Sequence, residues 1–212
     1  MGTSSRTTAR ATPCIRSTSQ SSEGDLMPVI SKQGIRLARH EELDEISALV
    51  SDAFTSFQHA LPRHIFEPYA NDACDLAGRW EDASLAVFEH QGRLVGTVSY
   101  YAEAVHEGMG WPPGLAGLRT LAVAPSAQGH GYGRALCEWC VMRARQQGAG
   151  ALALHTASFM TSACMLYENL GFQRRPAYDL FASDILGFDP ALGDQKVIAY
   201  LLPFQHGDSP DR

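Results

Sequence analysis

A glycine-rich turn is the part of this sequence with the clearest chemical meaning. The letters LAVAPSAQGHGYGRAL predict a strand that Pro125 ends, a turn with glycines at 129, 131 and 133, and then an amphipathic helix. The first N–H groups of a helix lack partners within it, and with the positive end of the helix dipole they favour an anion. Glycine also lets a phosphate approach the backbone closely. The turn therefore indicates a phosphate-binding site, although a glycine-rich connection without a ligand has the same letters.

Two common phosphate-binding motifs do not fit this turn. A P-loop needs a lysine beside its last glycine, and the lysines of this chain, Lys32 and Lys196, lie far from the turn. A dinucleotide fingerprint needs GxGxxG, but the third glycine position holds Arg134 in one frame and Leu136 in the other. The letters argue against a kinase or ATPase loop and against a dinucleotide-binding unit.

The turn resembles motif A of the GCN5-related N-acetyltransferase (GNAT) superfamily. Gln128, Gly131 and Gly133 meet the family's pattern of Gln or Arg, two residues, Gly, one residue, then Gly or Ala, and Val123 and Pro125 fit the preceding positions. The segment SACMLYENLGF resembles motif B, whose residues stand here as Ala163, Leu166, Tyr167, Glu168, Gly171 and Phe172. The specific match runs from Leu118 to Phe172, whereas Gly34 to Val105 agrees only in the order of its elements.

The resemblance implies acetyl-CoA as cosubstrate, and no metal. The backbone of Leu121, Ala122 and Val123 would bind the pantetheine arm, which would enter a gap between the fourth and fifth strands as an added strand does. The residues that would surround the pyrophosphate are Gln128, Gly129, His130, Gly131, Tyr132, Gly133 and Arg134. Met160 departs from the family pattern, because many relatives carry there an asparagine that contacts the cofactor.

Acetylation of an amine needs a neutral nitrogen, a donor to the oxyanion and a proton source for the departing thiolate. By resemblance, Tyr167 is the general acid; the alternative is an aromatic side chain that only packs. A backbone N–H between Leu121 and Val123 would donate to the oxyanion.

The general base is less clear from the letters, because Arg119 and Thr120 stand where several relatives place a glutamate. His155 is the first candidate, since some similar ribosomal-protein acetyltransferases carry their base twelve residues before the motif tyrosine, and imidazole titrates near neutral pH. Glu103 and His106 are further candidates. An acceptor amine of low pKa would need no protein base.

The acceptor is expected to enter opposite the cofactor. Three aromatic-bearing segments would surround it: the region from Phe54 to Tyr69, the loop EGMGWPPG with Trp111, and the chain near Phe188. The same aromatics are equally consistent with ordinary loop anchors. An antibiotic, a polyamine, an amino acid and a protein N-terminus all remain open as the acceptor.

The hydrophobic pattern predicts the elements that must position these residues. Alternating runs predict strands, and apolar residues at helical spacing predict helices. The predicted strands are GIRLARH, SLAVFEH, RLVGTVSYYAEAV, LAGLRTLAVAP, ALALHTA, FQRRPAYDLFA and KVIAYLLPF; the predicted helices are EELDEISALVSDAF, a broken region from Phe54 to Trp80 interrupted by Pro62 and Pro68, Gly131 to Gln147 and Thr161 to Leu170. The fold class is therefore α/β, and the resemblance makes it a GNAT fold: a mixed, mostly antiparallel seven-stranded sheet, splayed between strands 4 and 5, with about four flanking helices.

Composition limits the class of protein. The chain has 212 residues, of which 45% are hydrophobic and 19% charged, and no apolar run is long enough to cross a bilayer, so we expect a cytoplasmic protein with no membrane partner. The net charge of −6 argues against nucleic acid and mildly favours a cationic acceptor. Five scattered cysteines indicate reduced thiols, and the pair Cys137 and Cys140 lies on the apolar face of a predicted helix, where packing explains it.

Three segments are predicted along the chain. Residues 1–27 form a disordered tail rich in Ser, Thr and Arg, which also resembles a transit peptide, and Met27 is an alternative start. Residues 28–206 form one acetyltransferase domain, and residues 207–212 form a C-terminal tail. A non-catalytic acyl-CoA sensor is the alternative function, and a longer acyl donor, a hydroxyl acceptor and a homodimer remain open.

Overall fold

An eight-stranded sheet forms the centre of the part of the chain that the computed structural model describes, which is Met1 and residues 34–204. The strands are β1 (Ile35–Leu37), β2 (Ser84–His90), β3 (Arg93–Tyr101), β4 (Ala116–Val123), β5 (Ala151–Ala157), β6 (Gln173–Arg174), β7 (Leu180–Phe181) and β8 (Lys196–Pro203). Their order is β1-β2-β3-β4-β5-β8-β6, and β7 also pairs with β8. Only the β4–β5 pair is parallel, so the prediction of a mixed, mostly antiparallel sheet is confirmed. The tails predicted at 1–27 and 207–212 lie outside residues 34–204.

Four helices cover the two faces of the sheet. On one face α1 (Leu43–Thr55) and α2 (Arg63–Cys74) bury an apolar cluster against β2 and the end of β4. On the other face α3 (Tyr132–Gln146) and α4 (Thr161–Asn169) bury a second cluster. Cys137 and Cys140 are fully buried in that second cluster, as their helical spacing predicts.

The predicted helical region between α1 and β2 behaves differently at its two prolines. Pro62 lies at the N-cap of α2, where a missing N–H is tolerated because it has no helical partner. Pro68 lies inside α2, and the helix continues through it without one backbone hydrogen bond. Of the two prolines, only Pro62 therefore lies at a break in the helical region.

The single strand predicted over FQRRPAYDLFA is two short strands. Pro176 has no N–H to give to a ladder, and a turn at Pro176–Tyr178 separates β6 from β7. Asp179 holds this turn against β8, since its Oδ1 accepts from the N–H of Ala199 at 2.9 Å and its Oδ2 lies 3.0 Å from Lys196 Nζ. The sheet consequently has eight strands rather than seven, and a fifth helix, α5 (Ala182–Leu186), follows β7.

A fork opens between β4 and β5. The two strands pair only from Ala116 to Leu118, opposite Leu152 to Leu154, whereas β5 stays paired with β8 along its whole length. Just past the last pair, Thr120 has a φ of 52°, and the register between β3 and β4 shifts beside it. An extra residue of this kind bends a strand away from its neighbour. The predicted splay between strands 4 and 5 is confirmed, and the bulge at Thr120 is its physical cause.

Candidate active site

The N-terminus of α3 presents unpaired backbone donors. The first hydrogen bond of the helix runs from the N–H of Ala135 to the carbonyl of Gly131 at 3.0 Å. Within residues 34–204 the N–H groups of Tyr132, Gly133 and Arg134 have no backbone acceptor. A Cβ placed on Gly131, whose φ is 85°, would meet nothing within 4 Å. These donors therefore face open space that an anion can occupy.

Three elements meet beside this cradle. A Cβ placed on Gly133 would lie 3.5 Å from Val123 Cγ2 on β4 and 3.8 Å from Leu166 Cδ2 on α4. Leu121 and Val123 are half-buried, and Ala122 between them is buried against the α1 and α2 face. The predicted cofactor residues on β4 and in the glycine turn therefore lie next to one another along one route from α3 to the fork.

Tyr167 is buried in α4 beside that route. Its ring packs 5.7 Å from Phe172 and 6.2 Å from Tyr200, measured between centroids. Burial raises the pKa of Tyr167 well above its ordinary value, so the hydroxyl keeps its proton. No hydrogen bond occupies that hydroxyl within residues 34–204, and the side chain is therefore available as a donor.

A cavity of about 80 Å³ lies in the fork itself. Arg119 and Thr120, just past the last paired residue of β4, form one wall, and residues 155–157 of β5 form another. The remaining lining residues are Phe54, Tyr69, Asp72, Ala73, Glu107, Met109 and Val197. Tyr167 does not line this cavity, because it lies on the α3 and α4 face of the sheet.

His155 is held in one tautomer on the cavity wall. Its Nε2 lies 2.9 Å from the carbonyl oxygen of Tyr178, and because a carbonyl only accepts, Nε2 carries the hydrogen. Nδ1 of the neutral ring is therefore unprotonated, and this buried atom has no hydrogen-bond partner within residues 34–204. Burial lowers the pKa of His155, so the ring is neutral at neutral pH. The arrangement leaves a basic nitrogen without a proton.

The structure separates the two glutamates near the end of β3. Glu103 is exposed, and its Oε2 accepts from the N–H of Gly114 at 3.2 Å, outside the cavity. His106 is also exposed and does not line the cavity. Glu107, which was not among the predicted candidates, is only 6% exposed and lines the cavity. Of these three acid–base candidates, only Glu107 lies beside His155.

A short 3-10 turn explains why Glu107 is the inward residue. The chain at Ala104–Glu107 turns with about three residues per turn, which puts Ala104 and Glu107 on the same side. Both side chains are buried, whereas Val105 and His106 are exposed. The strand predicted through Val105 has a period of two, and a period of two does not indicate that Glu107 points inward.

The carboxyl of Glu107 has an unusual environment. Burial raises its pKa to about 8, although the positive charges of Arg119 and Arg79 act in the opposite direction. Its Oε2 is buried without a hydrogen-bond partner within residues 34–204. A Cβ placed on Gly117 would lie 3.3 Å from that oxygen, so the bare backbone of Gly117 provides the room for the carboxyl.

Arg119 joins the walls of the cavity. Its Nη2 lies 2.5 Å from Asp72 Oδ2 on α2, and its Nη1 donates to the backbone oxygen of Glu107 at 3.1 Å. Asp72 also pairs with Arg79 at 3.0 Å. A guanidinium therefore stands at the strand position where several relatives carry a glutamate, and it fixes α2 and the 3-10 turn to β4.

The aromatics predicted around the acceptor divide into two groups. Phe54 and Tyr69 line the cavity. Trp111 does not line it; its ring packs at a tilt against His155 and Tyr178, with centroid distances of 4.5 and 5.0 Å. Phe188 packs 5.9 Å from His64 and does not itself line the cavity.

Met160 takes a structural place in this chain. It is buried at the N-cap of α4, and its sulfur accepts from the hydroxyls of Tyr69 at 3.8 Å and Thr156 at 3.6 Å. Residues 34–204 contain no group of three or more His, Cys, Asp or Glu side chains that could hold a metal ion. None of the helices in that range is long and apolar enough to cross a membrane.

Comparison with known proteins gives consistent family matches. Residues 43–172 match the family described as "Acetyltransferase (GNAT) family". The chain is 34% identical over 106 residues to a mycothiol acetyltransferase of Arthrobacter sp. (strain FB24), covering 47% of this chain and 32% of that relative. It is 31% identical over 147 residues to a mycothiol acetyltransferase of Cellulomonas flavigena, covering 65% of this chain and 41% of that relative. The chain thus spans about a third to two fifths of the length of these relatives.

Solved structures share the fold. The ribosomal-protein-alanine N-acetyltransferase of Brucella melitensis superposes with a TM-score of 0.56 at 22% identity, covering 80% of this chain and 99% of that one. The PaiA N-acetyltransferase of Thermoplasma acidophilum, solved in complex with coenzyme A, superposes with a TM-score of 0.59 at 12% identity, covering 80% of this chain and 98% of that one. At these identities the likeness establishes the fold alone, and the expected fold class is confirmed.

Proposed function

Because the chain belongs to the GNAT family of acetyltransferases, we propose that it transfers the acetyl group of acetyl-CoA to the nitrogen of an amine. One observation carries the proposal: the fork between β4 and β5 has unpaired helix-terminal donors on one side and a buried cavity with His155 on the other. An anionic cofactor and an amine can therefore approach the same opening from opposite faces of the sheet. The mycothiol acetyltransferases among its relatives support the class of reaction.

The cofactor is assigned to the α3 and α4 side of the fork. The pyrophosphate would lie on the N–H groups of residues 132–134, with Gln128, Gly129 and His130 before them, because unpaired donors at a helix N-terminus attract an anion. The pantetheine would follow the edge of β4 at Leu121 to Val123, which β5 leaves unpaired beyond Leu118. The neighbour solved with coenzyme A supports this ligand.

Each chemical demand of the transfer has a candidate group in this chain. His155 Nδ1 accepts a proton from the amine as the C–N bond forms, and its Nε2–H, held by the Tyr178 carbonyl, stabilises the resulting imidazolium. A backbone N–H of Leu121 to Val123 donates to the oxyanion. When the C–S bond breaks, the electron pair goes to sulfur and the hydroxyl of Tyr167 supplies its proton.

Free-thiol release from acetyl-CoA in the presence of a panel of amines tests the function. We expect turnover with at least one primary amine, and a loss of at least about 100-fold in kcat in His155→Gln. Unchanged turnover in His155→Gln and in Tyr167→Phe would contradict the assigned roles. Tight acetyl-CoA binding without turnover on any amine would instead identify a non-catalytic acyl-CoA sensor.

A further inference from the structure

Two buried polar atoms beside the cavity lack hydrogen-bond partners within residues 34–204. They are Oε2 of Glu107 and Nδ1 of His155, and both residues line the cavity. Native proteins satisfy the great majority of their buried polar groups, so such an atom calls for an explanation. The Nε1 atom of Trp111 is a third buried atom of this kind, and the Trp111 side chain interacts with the Glu107 carboxyl. A ligand in the cavity that Glu107 and His155 both line would supply the hydrogen bond that His155 Nδ1 lacks and a further one to Glu107.

The proton balance of the proposed reaction requires two acceptors. An alkylamine is protonated near pH 7, and it loses two protons on the way from ammonium to amide. The first must leave before attack, because only a neutral nitrogen has the lone pair that forms the C–N bond. The second leaves as that bond forms, while the sulfur gains one proton from Tyr167, so the overall reaction releases one proton.

Resting on the proposed function, we infer that Glu107 is a second catalytic residue, which removes the first proton from an alkylammonium acceptor before His155 removes the second. The carboxylate oxygen of Glu107 accepts a proton from RNH3⁺ to give RNH2 and a neutral carboxylic acid. The acceptor class that this arrangement fits is a strongly basic primary amine, because such an amine arrives as an ammonium and must lose a proton before it can attack.

The groups around Glu107 make it suitable for this step. Burial opposes its ionised form most strongly, Arg119, Arg79 and the side chain of Trp111 favour that form, and Asp72 on α2 opposes it. Tyr101 on β3 is a further titratable group near Glu107. Burial raises the pKa of Tyr101, and the charge of Glu107 acts in the same direction. An ammonium that enters the cavity adds an opposite charge and favours the carboxylate when a proton is to be taken. With a pKa of about 8 the free carboxyl is mostly protonated at pH 7, so binding of the ammonium first releases that proton to solvent. The resulting carboxylate then takes one proton from the ammonium.

The experiment compares two acceptors that differ in basicity. Wild type and Glu107→Gln are assayed by thiol release with a lysine-like alkylamine, of pKa about 10.4, and with a peptide α-amine, of pKa about 8. At pH 7 we expect Glu107→Gln to lower kcat/KM about 100-fold for the alkylamine and less than about 10-fold for the α-amine. At pH 9.5 the two losses should converge, since much more of the alkylamine is then neutral.

A matched control and a fold readout make the result specific. Glu67→Gln changes an exposed carboxylate on α2, paired with Arg63, and should leave the ratio between the two acceptors unchanged. Acetyl-CoA affinity and the melting temperature should be retained in Glu107→Gln, because the amide has the shape of the carboxylic acid. Equal losses for both acceptors, or no loss, would overturn the role of Glu107 while leaving the proposed function intact. Absence of turnover by the wild type on every amine would overturn both.

Discussion

At the scale of single residues, Tyr167 is the group whose removal isolates one chemical step. Its buried hydroxyl keeps its proton and has no hydrogen-bond partner within residues 34–204, so Tyr167→Phe should disturb the packing little. We expect kcat to fall at least about 100-fold while the Kd for acetyl-CoA changes less than about threefold. Steady-state kinetics with calorimetric binding measure both quantities. A large change in Kd at constant kcat would instead make Tyr167 a binding residue.

Asp179 holds the turn that carries the Tyr178 carbonyl, and this carbonyl in turn accepts the hydrogen bond that orients His155. Although burial alone would raise the pKa of Asp179, hydrogen bonds from Arg174, the N–H of Ala199 and Lys196 hold it well below its usual range. A depressed carboxyl pKa stabilises the fold above the unfolded pKa, near 3.9, and this contribution is lost as pH falls below it. Asp179→Asn should therefore lower the free energy of unfolding by about 2–3 kcal/mol at pH 7.

Urea unfolding at several pH values measures this contribution. The difference between wild type and Asp179→Asn should shrink as pH falls below about 4, because Asp179 of the unfolded wild type then binds a proton that the folded protein, with its lower pKa, does not bind. A difference that stays constant down to pH 3 would show that shape, and not charge, holds the turn. The variant should also lose kcat, since the Tyr178 carbonyl would no longer hold His155.

At the scale of elements, the two ends of α3 offer a matched pair of glycines. Gly131 at its N-terminus and Gly148 after its C-terminus have φ values of 85° and 73°, and a Cβ on either would meet nothing within 4 Å. Alanine at either position should cost a similar 1–2 kcal/mol of backbone strain. Only Gly131→Ala should raise the Kd for coenzyme A, by at least about 10-fold, because its methyl group would occupy the cradle. Equal affinities for the two variants would contradict the placement of the pyrophosphate.

The elements also show how far the sequence could predict the structure. Alternating and helical apolar spacings predicted β2, β3, β5 and the helices α1, α3 and α4, because each buries one face against the sheet. The break at Pro176 was not predicted, since the turn there depends on the contact between Asp179 and β8, which is distant in sequence. Long-range contacts of this kind leave no local pattern in the letters.

The site was predictable where it depends on local structure. The glycine turn and Tyr167 follow from two short motifs. Glu107 was missed because its inward direction comes from a 3-10 turn, and the pairing of Arg119 with Asp72 was missed because it joins residues far apart in sequence. Two features of the sequence could have revealed the buried carboxyl. Ala104 and Glu107 are three residues apart, as on one side of a 3-10 turn, and the glycine at position 117 of the next strand leaves room for a side chain.

At the scale of the whole molecule, the acetyltransferase domain predicted at residues 28–206 can be tested by deletion. Residues 1–27 are poor in the apolar side chains from which a core is built. A chain that lacks them should unfold in one cooperative transition, with a melting temperature within about 2 °C of the full chain and kcat unchanged within about twofold. Loss of cooperative unfolding would show that the domain begins earlier than residue 28.

The fork has a consequence for how this protein can evolve. Three residue pairs are the whole seam between the half of the sheet that ends in β4 and the half that begins with β5. Extending that seam would add hydrogen bonds to the sheet, but it would also close the opening to which we assign both substrates. Substitutions that stabilise the protein and keep the proposed chemistry therefore have to lie away from this seam.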